Sequence, residues 1–211
     1  MKSQKLILKA AAALALVFGL SLTVQAQIGS GWTSYSPSYT TQLEGCGTNS
    51  GLVFQLTCST THAQDSNYQR AERRYADVNS GYSQFQGNVT VNSLSGDNIC
   101  LKQTFQDGGA TGPFNMIAVS KASNDLYEVE GNTGVPGTPK LASYTVGSSI
   151  RINTITNTSG KSVQVYVNGS LVETKTNALV PLYDKFGTYR TVSGYGPIKA
   201  TWSSVQFWKH S

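Results

Sequence analysis

Two short stretches concentrate groups able to do acid–base chemistry on a charged substrate. In "YDKFGTYRT", residues 183–191, strand alternation puts Tyr183, Lys185, Gly187 and Tyr189 on one face and Asp184, Phe186, Thr188 and Arg190 on the other. The first face offers two phenols, an ammonium, and a glycine that leaves room beside them. In "RAERR" the same alternation groups Arg70, Glu72 and Arg74. A carboxylate between two guanidiniums can hold both through charge-assisted hydrogen bonds, and such a row on one wall of a cleft suits a carboxylated substrate. A plain cross-strand ion-pair row on an exposed sheet is the competing reading. An unperturbed tyrosine titrates near 10, and nearby Arg and Lys charges would lower Tyr189 from there.

Short strands must position these groups. After the first residues the chain is rich in Gly, Ser, Thr, Asn, Val and Tyr, and its apolar residues fall in brief alternating runs separated by turn residues, the all-β pattern. Strands are expected in 51–58, 68–76, 83–94, 98–106, 114–121, 125–131, 148–157, 161–169, 170–177, 185–191 and 198–209. Asn168-Gly169 between two such runs marks a hairpin. "GNTGVPGTP", 131–139, reads as a loop, and "GSGWTSYSPSYTTQ", 29–42, as an arm or a first strand. Without crossover helices these strands cannot form a parallel sheet, so two stacked antiparallel sheets, a β-sandwich or jelly roll, are expected.

The start of the chain reads as a targeting segment. A basic "MKSQKLILK" precedes an apolar run, and Val24 and Ala26 are small residues suited to cleavage. Residues 1–26 are therefore expected to be a signal peptide and 27–211 a single secreted domain, extracellular or periplasmic, with no later membrane span. Without the three lysines of the leader, sixteen basic residues become thirteen against eleven acids, a balance of +2. Such a chain, with no dense basic stripe, is not expected to bind nucleic acid. Of three cysteines, Cys46 and Cys58 bracket a short loop and are expected to be bridged, although pairings of either with Cys100 remain open. No His/Cys cluster points to a metal.

Taken together, Arg70-x-Glu72-x-Arg74, then Gln103-Thr104-Phe105, then Tyr183-x-Lys185-x-Gly187-x-Tyr189 resemble the secreted alginate lyases of polysaccharide lyase family 7 and the related jelly-roll glucuronan lyases. That family carries Arg-x-Glu-x-Arg, Gln-x-His and Tyr-x-Lys-x-Gly-x-Tyr on three cleft strands; here Phe105 replaces the histidine. The resemblance implies a concanavalin-like jelly roll and a monomer that needs no cofactor and acts on an acidic polysaccharide. It implies cleavage by β-elimination, in which a proton leaves C5 beside a carboxylate and the 4-O oxygen departs. Arg70 or Arg74 with Gln103 would neutralise the carboxylate. Tyr189 would be the acid and in some versions also the base. Glu72, Lys185 and Tyr183 would help bind substrate.

The absent histidine directs the substrate expectation. Guluronate links present proton and leaving oxygen on opposite sides, whereas mannuronate and glucuronate links present them on the same side, so Phe105 points to polymannuronate or glucuronan. His62, shortly before the arginine strand, is a candidate relocated base; His210, at the chain end, is not. Strict alternation in "NICLKQTFQ" groups Gln103 with Ile99, Leu101 and Phe105, a core-like set, and would turn Lys102 to the cleft as the carboxylate partner. A bulge after Gly96-Asp97 would restore Gln103 instead. A non-catalytic carbohydrate-binding jelly roll is the alternative function.

Overall fold

Period-two patterning decides which side of each strand is buried. In "SVQVYV", for example, Val163, Val165 and Val167 are buried while Gln164 and Tyr166 are half-buried. The computed structural model describes residues 27–129 and 136–210; the expected signal segment 1–26 lies outside them, as does 131–135 of the expected loop. In chain order the strands are β1 (Thr33–Tyr35), β2 (Tyr39–Glu44), β3 (Gly47–Ser50), β4 (Val53–Leu56), β5 (Arg70–Tyr75), β6 (Tyr82–Leu94), β7 (Asp97–Phe105), β8 (Pro113–Ser120), β9 (Asp125–Val129), β10 (Pro136–Ser143), β11 (Ser149–Asn157), β12 (Ser162–Val167), β13 (Ser170–Thr176), β14 (Tyr183–Tyr195) and β15 (Ile198–His210).

They form two antiparallel sheets. One runs β13-β12-β11-β6-β15-β4-β3, with β1 also on β15; the other runs β10-β9-β8-β7-β14-β5-β2. The expected all-β sandwich is thus the fold observed. β3 and β10 were not read from the sequence, and the stretch left as an arm or a first strand holds β1 and most of β2. β1, β2 and β3 are polar and largely exposed, and β10 begins inside the stretch taken for a loop. The hairpin β12–β13 closes on Asn168 and Gly169 at φ 51° and 89°, the left-handed pair that a two-residue primed turn requires.

Between the sheets lies an aromatic core. Phe186, on the inward side of β14, packs on Phe54 at 5.5 Å, Phe85 at 5.5 Å and Trp202 at 4.9 Å between ring centroids. Trp202, Phe85 and Phe54 are essentially without exposure. Since Phe186 is fixed inward, Lys185 must point outward.

Cys46 and Cys58 are bridged, with Cα atoms 5.8 Å apart, and Cys100 is a buried free thiol. The bridge ties β3 to the start of the segment that leads into β5. Replacing both cysteines by serine is expected to lower stability by about 2–3 kcal/mol, the chain-entropy value for a loop of this size, as read by urea unfolding of the wild type and the double variant.

Candidate active site

The site is built on three neighbouring strands. β14 lies between β5 and β7, and Lys185 is directly opposite Arg74 on one side and Gln103 on the other, while Gly187 faces Glu72 and Tyr189 faces Arg70. Arg70, Glu72, Arg74, Gln103, Lys185 and Tyr189 therefore share the outer face of the seven-stranded sheet. A cleft of about 570 Å³ opens on this face, lined among others by Gln42, His62, Tyr68, Arg70, Gln103 and Phe105, and by Tyr183, Lys185 and Tyr189. Its size suits a small-molecule or sugar ligand.

Glu72 is the centre of the site. It is 1% exposed. One carboxylate oxygen accepts from Gln103 Nε2 at 2.5 Å and the other from Lys185 Nζ at 3.1 Å. Glu72 and Gln103 stand two strands apart, roughly 9–10 Å of sheet, with β14 between them. They can touch because Gly187 puts no side chain in the way. Gly187 is also at φ 148°, and a Cβ there would stand 2.1 Å from the Ala71 carbonyl oxygen and 2.8 Å from Glu72 Cα. The glycine thus serves the approach of β5 and the Glu72 crossing. The expectation that Glu72 grips the two arginines does not hold. Arg70 is paired through Nε with Glu44 Oε2 at 3.2 Å, and Arg74 through Nη2 with Asp77 Oδ1 at 2.7 Å. Arg74 also lies 4.0 Å over the Tyr183 ring.

The register of β7 is settled by a bulge. Cys100 faces Ala118 and Lys102 faces Ile117, so two residues of β7, Leu101 and Lys102, span one step of β8. Ile99 and Leu101 join the core between the sheets, and Lys102 follows Leu101 inward. Its Nζ bonds Asp184 Oδ1 at 2.5 Å and Thr104 Oγ1 at 3.1 Å, and it lies 5.0 Å from the Phe85 ring. Lys102 is therefore not a substrate ligand; it neutralises a buried aspartate. Gln103 is returned to the cleft face, and Phe105 stacks on Tyr183 with ring centroids 5.0 Å apart and planes within 5°.

Tyr189 is half-buried against Cys100, Met116, Ala118, Tyr127 and Val129, a small apolar cluster on the outer face. Burial pushes its phenol up to about 12, outweighing the opposing pull of the Arg70 guanidinium. This reverses the lowering expected from charges alone, because a phenolate on an apolar bed loses its hydration. At neutral pH the phenol is a proton donor. Burial lowers the Lys185 ammonium while Glu72 opposes the change, and burial raises Tyr183.

His62 lines the cleft from the segment between β4 and β5. His210 stacks edge-on with Trp32 and Tyr82 instead and is not among the cleft residues. Tyr68 and Gln42 are among the lining residues that were not singled out from the sequence. Tyr68 lies 4.3 Å under the Arg70 guanidinium and 6.4 Å from Tyr189; it extends the period-two row Arg74, Glu72, Arg70 by one step and could have been read from it. Gln42, opposite Glu72 on β2, gave no such signal.

Two outcomes are expected. Lys102→Met alone should cost about 3–5 kcal/mol by stranding a buried carboxylate, whereas Lys102→Met with Asp184→Leu should recover most of that, as measured by denaturant unfolding. Stability should also fall as pH rises from about 10 toward 12. Over that window unfolded tyrosines lose their protons, whereas folded Tyr189, and Tyr144, also raised to about 12, keep theirs. Unfolding at about pH 9 and about pH 11 should show a smaller drop for Tyr189→Phe than for the wild type.

Comparison with known proteins bears on the fold. No protein-family model matches the chain, and no curated protein matches it by sequence. Among solved structures, the chain is similar to the marine family 7 alginate lyase AlyA1 from Zobellia galactanivorans, at 18% identity over 74% of this chain and 76% of that one, TM-score 0.57. It is similar to the family 7 alginate lyase AlgAT5, at 20% identity over 84% and 85% of the two chains, TM-score 0.56. It is also similar to an alginate lyase from Corynebacterium sp., at 15% identity over 74% and 76%, TM-score 0.57. The chain has the jelly-roll fold of the polysaccharide lyase family 7 alginate lyases.

Proposed function

We propose that this chain is a secreted lyase that cleaves an acidic uronan of the polymannuronate or glucuronan type by β-elimination, with residues 1–26 as its signal peptide and 27–211 as the active domain. The observation that carries the reading is the meeting of Tyr189, held as a neutral phenol, with Arg70, Gln103, Lys185 and His62 in one cleft. A fold neighbour solved in complex with dimannuronate, AlyC3, agrees with the substrate class.

The chemistry follows from the groups present. Arg70 and Gln103 receive the uronate carboxylate, and Glu72 fixes the Gln103 amide by accepting from its nitrogen. Charge that develops on the carboxylate as C5 loses its proton is stabilised by donors already in place. Lys185 adds positive charge close by. The His62 imidazole takes the C5 proton, and the C–H electron pair becomes the C4–C5 double bond. The C4–O bond breaks, and the leaving oxygen takes the Tyr189 proton. A tyrosine acting alone would first have to become phenolate, which its burial disfavours, so the two-residue version is the better fit. Arg190, next to Tyr189, bonds the Thr61 carbonyl next to His62, whereas Phe105 pairs with Tyr183, six residues earlier in β14. A base and an acid brought together at one end of the cleft would suit links whose proton and leaving group share a side.

A non-catalytic glycan-binding role is the second reading. It is favoured by Phe105, an inert ring at the place of the family's histidine. The discriminating measurement is the ultraviolet absorbance of unsaturated uronates released from polymannuronate, glucuronan and polyguluronate. Tyr189→Phe should bind polymer normally and lose about 10²–10⁴-fold in turnover, and His62→Ala should lose a comparable factor. Binding without any unsaturated product in the wild type would establish the glycan-binding reading instead.

A further inference from the structure

His62 lines the cleft from the segment between β4 and β5, a loop and not a strand, so its placement depends on what holds that segment. The side chain of Arg190 enters that segment. Arg190 follows Tyr189 on β14, points to the opposite side, and is 3% exposed. Its Nη1 donates to the Thr60 carbonyl at 2.9 Å, to Thr60 Oγ1 at 3.3 Å and to the Thr61 carbonyl at 3.2 Å. Its Nη2 donates to the Asn67 carbonyl at 2.6 Å and to the Asp65 carbonyl. Four backbone carbonyls, two before His62 and two after it, thus converge on one planar cation. The Arg190 backbone N–H also donates to the Gln69 carbonyl at 3.0 Å.

The loop has little else to hold its middle. Asp65 accepts from Asn67 and Gln69, and Gln69 accepts from the Cys46 amide at 2.6 Å; these contacts fix its C-terminal side. Thr61 and Gln64 close a local turn around His62, but that turn is tied to the sheet through Arg190. A lysine could not substitute, since an ammonium is a point charge and lacks the rigid fork of donors that spans separate carbonyls.

We propose that Arg190 is a positioning residue for the elimination, holding the 60–67 loop so that the His62 imidazole stands at the Tyr189 end of the cleft. This rests on the reading of His62 as the base. Arg190 touches no substrate atom; it links the base's loop to the strand that carries the acid, one residue from the phenol itself.

The test combines kinetics with hydrogen exchange on the full-length secreted protein. Arg190→Ala and Arg190→Lys are compared with wild type, His62→Ala and the Arg190→Ala/His62→Ala pair, on whichever uronan the wild type cleaves. Arg190→Ala should lose about 10²-fold in kcat, the scale of a misplacement near 1 Å, with KM nearly unchanged. Arg190→Lys should recover only part of that loss, and it carries the test by itself if Arg190→Ala does not fold. The double variant should be no slower than His62→Ala, since both changes remove one function. Amides in 60–67 should exchange faster in the Arg190 variants while those of β6 and β11 do not change. Losses that multiply in the double variant, an unchanged kcat in the Arg190 variants, or unchanged exchange in the loop would overturn the proposal. Two failures are distinguishable: His62→Ala at full rate removes the base and with it the anchor's purpose, whereas a slow His62→Ala beside a fast Arg190→Ala sinks the anchor alone.

Discussion

The Glu72 carboxylate is the constraint around which this cleft is arranged. It lies almost fully buried on β5 and is satisfied by an amide from β7 and an ammonium from β14. Burying a carboxylate without such partners is strongly unfavourable, so the three strands are held to one register at this row. The row then dictates the residue types around it. Gly187 must lack a side chain for Glu72 to reach Gln103, Gln103 must face outward, and Lys185 must stand between them. The arginines, freed from Glu72, find their carboxylates at Glu44 and Asp77. Each cation of the row therefore has its own acid, and the cleft is a set of oriented donors more than a broad positive field.

A second buried ion pair works on the opposite face of the same strands. Lys102 and Asp184 meet between the sheets with Thr104, directly behind the row that Glu72 organises. A buried pair of this kind contributes little net stability compared with apolar residues of similar volume. What it does here is compatible with register. The bulge at Leu101 and Lys102 sends two consecutive side chains inward, and Asp184 is the group that makes an inward lysine tolerable. Slipping β7 by one residue would expose Leu101 to the cleft, bury Gln103 and leave Asp184 unpaired. The pair behind the sheet and the Glu72 row in front of it thus select the same alignment.

How much of this was legible depended on whether period two held. It holds through β14 and β5, so the faces of Tyr183, Lys185, Tyr189 and of Arg70, Glu72, Arg74 could be read directly, and the sandwich followed from many such runs. It fails at β7, where one extra residue inverts the assignment of Lys102 and Gln103; nothing in "NICLKQTFQ" marks the bulge, because Leu-Lys is not a bulge-specific pair. The polar strands β1 and β2 could be read only as an arm or a first strand, and β3 not at all, for another reason: an exposed strand needs no apolar alternation. The ionisation of Tyr189 was misjudged because a sequence displays neighbouring charges but not the apolar bed of Cys100, Met116, Ala118, Tyr127 and Val129, which comes from three separate strands.

Under the proposed reading, moving the base from a strand to a loop changes what the fold must supply. A side chain on a central strand inherits its orientation from the ladder, and Phe105 shows that inheritance: it is stacked on Tyr183 and has nowhere else to go. A histidine on a loop inherits nothing, and fixing each loop residue opposes roughly 1–2 kcal/mol of backbone entropy. This chain meets that requirement with a disulfide at one end of the segment, a glutamine that ties the other end to the Cys46 amide, and a buried arginine between. The arginine comes from the residue after Tyr189, so any shift of β14 that moves the phenol also moves the loop. Acid and base then keep their separation even where neither is rigid by itself, which is the condition a concerted removal and delivery of protons imposes.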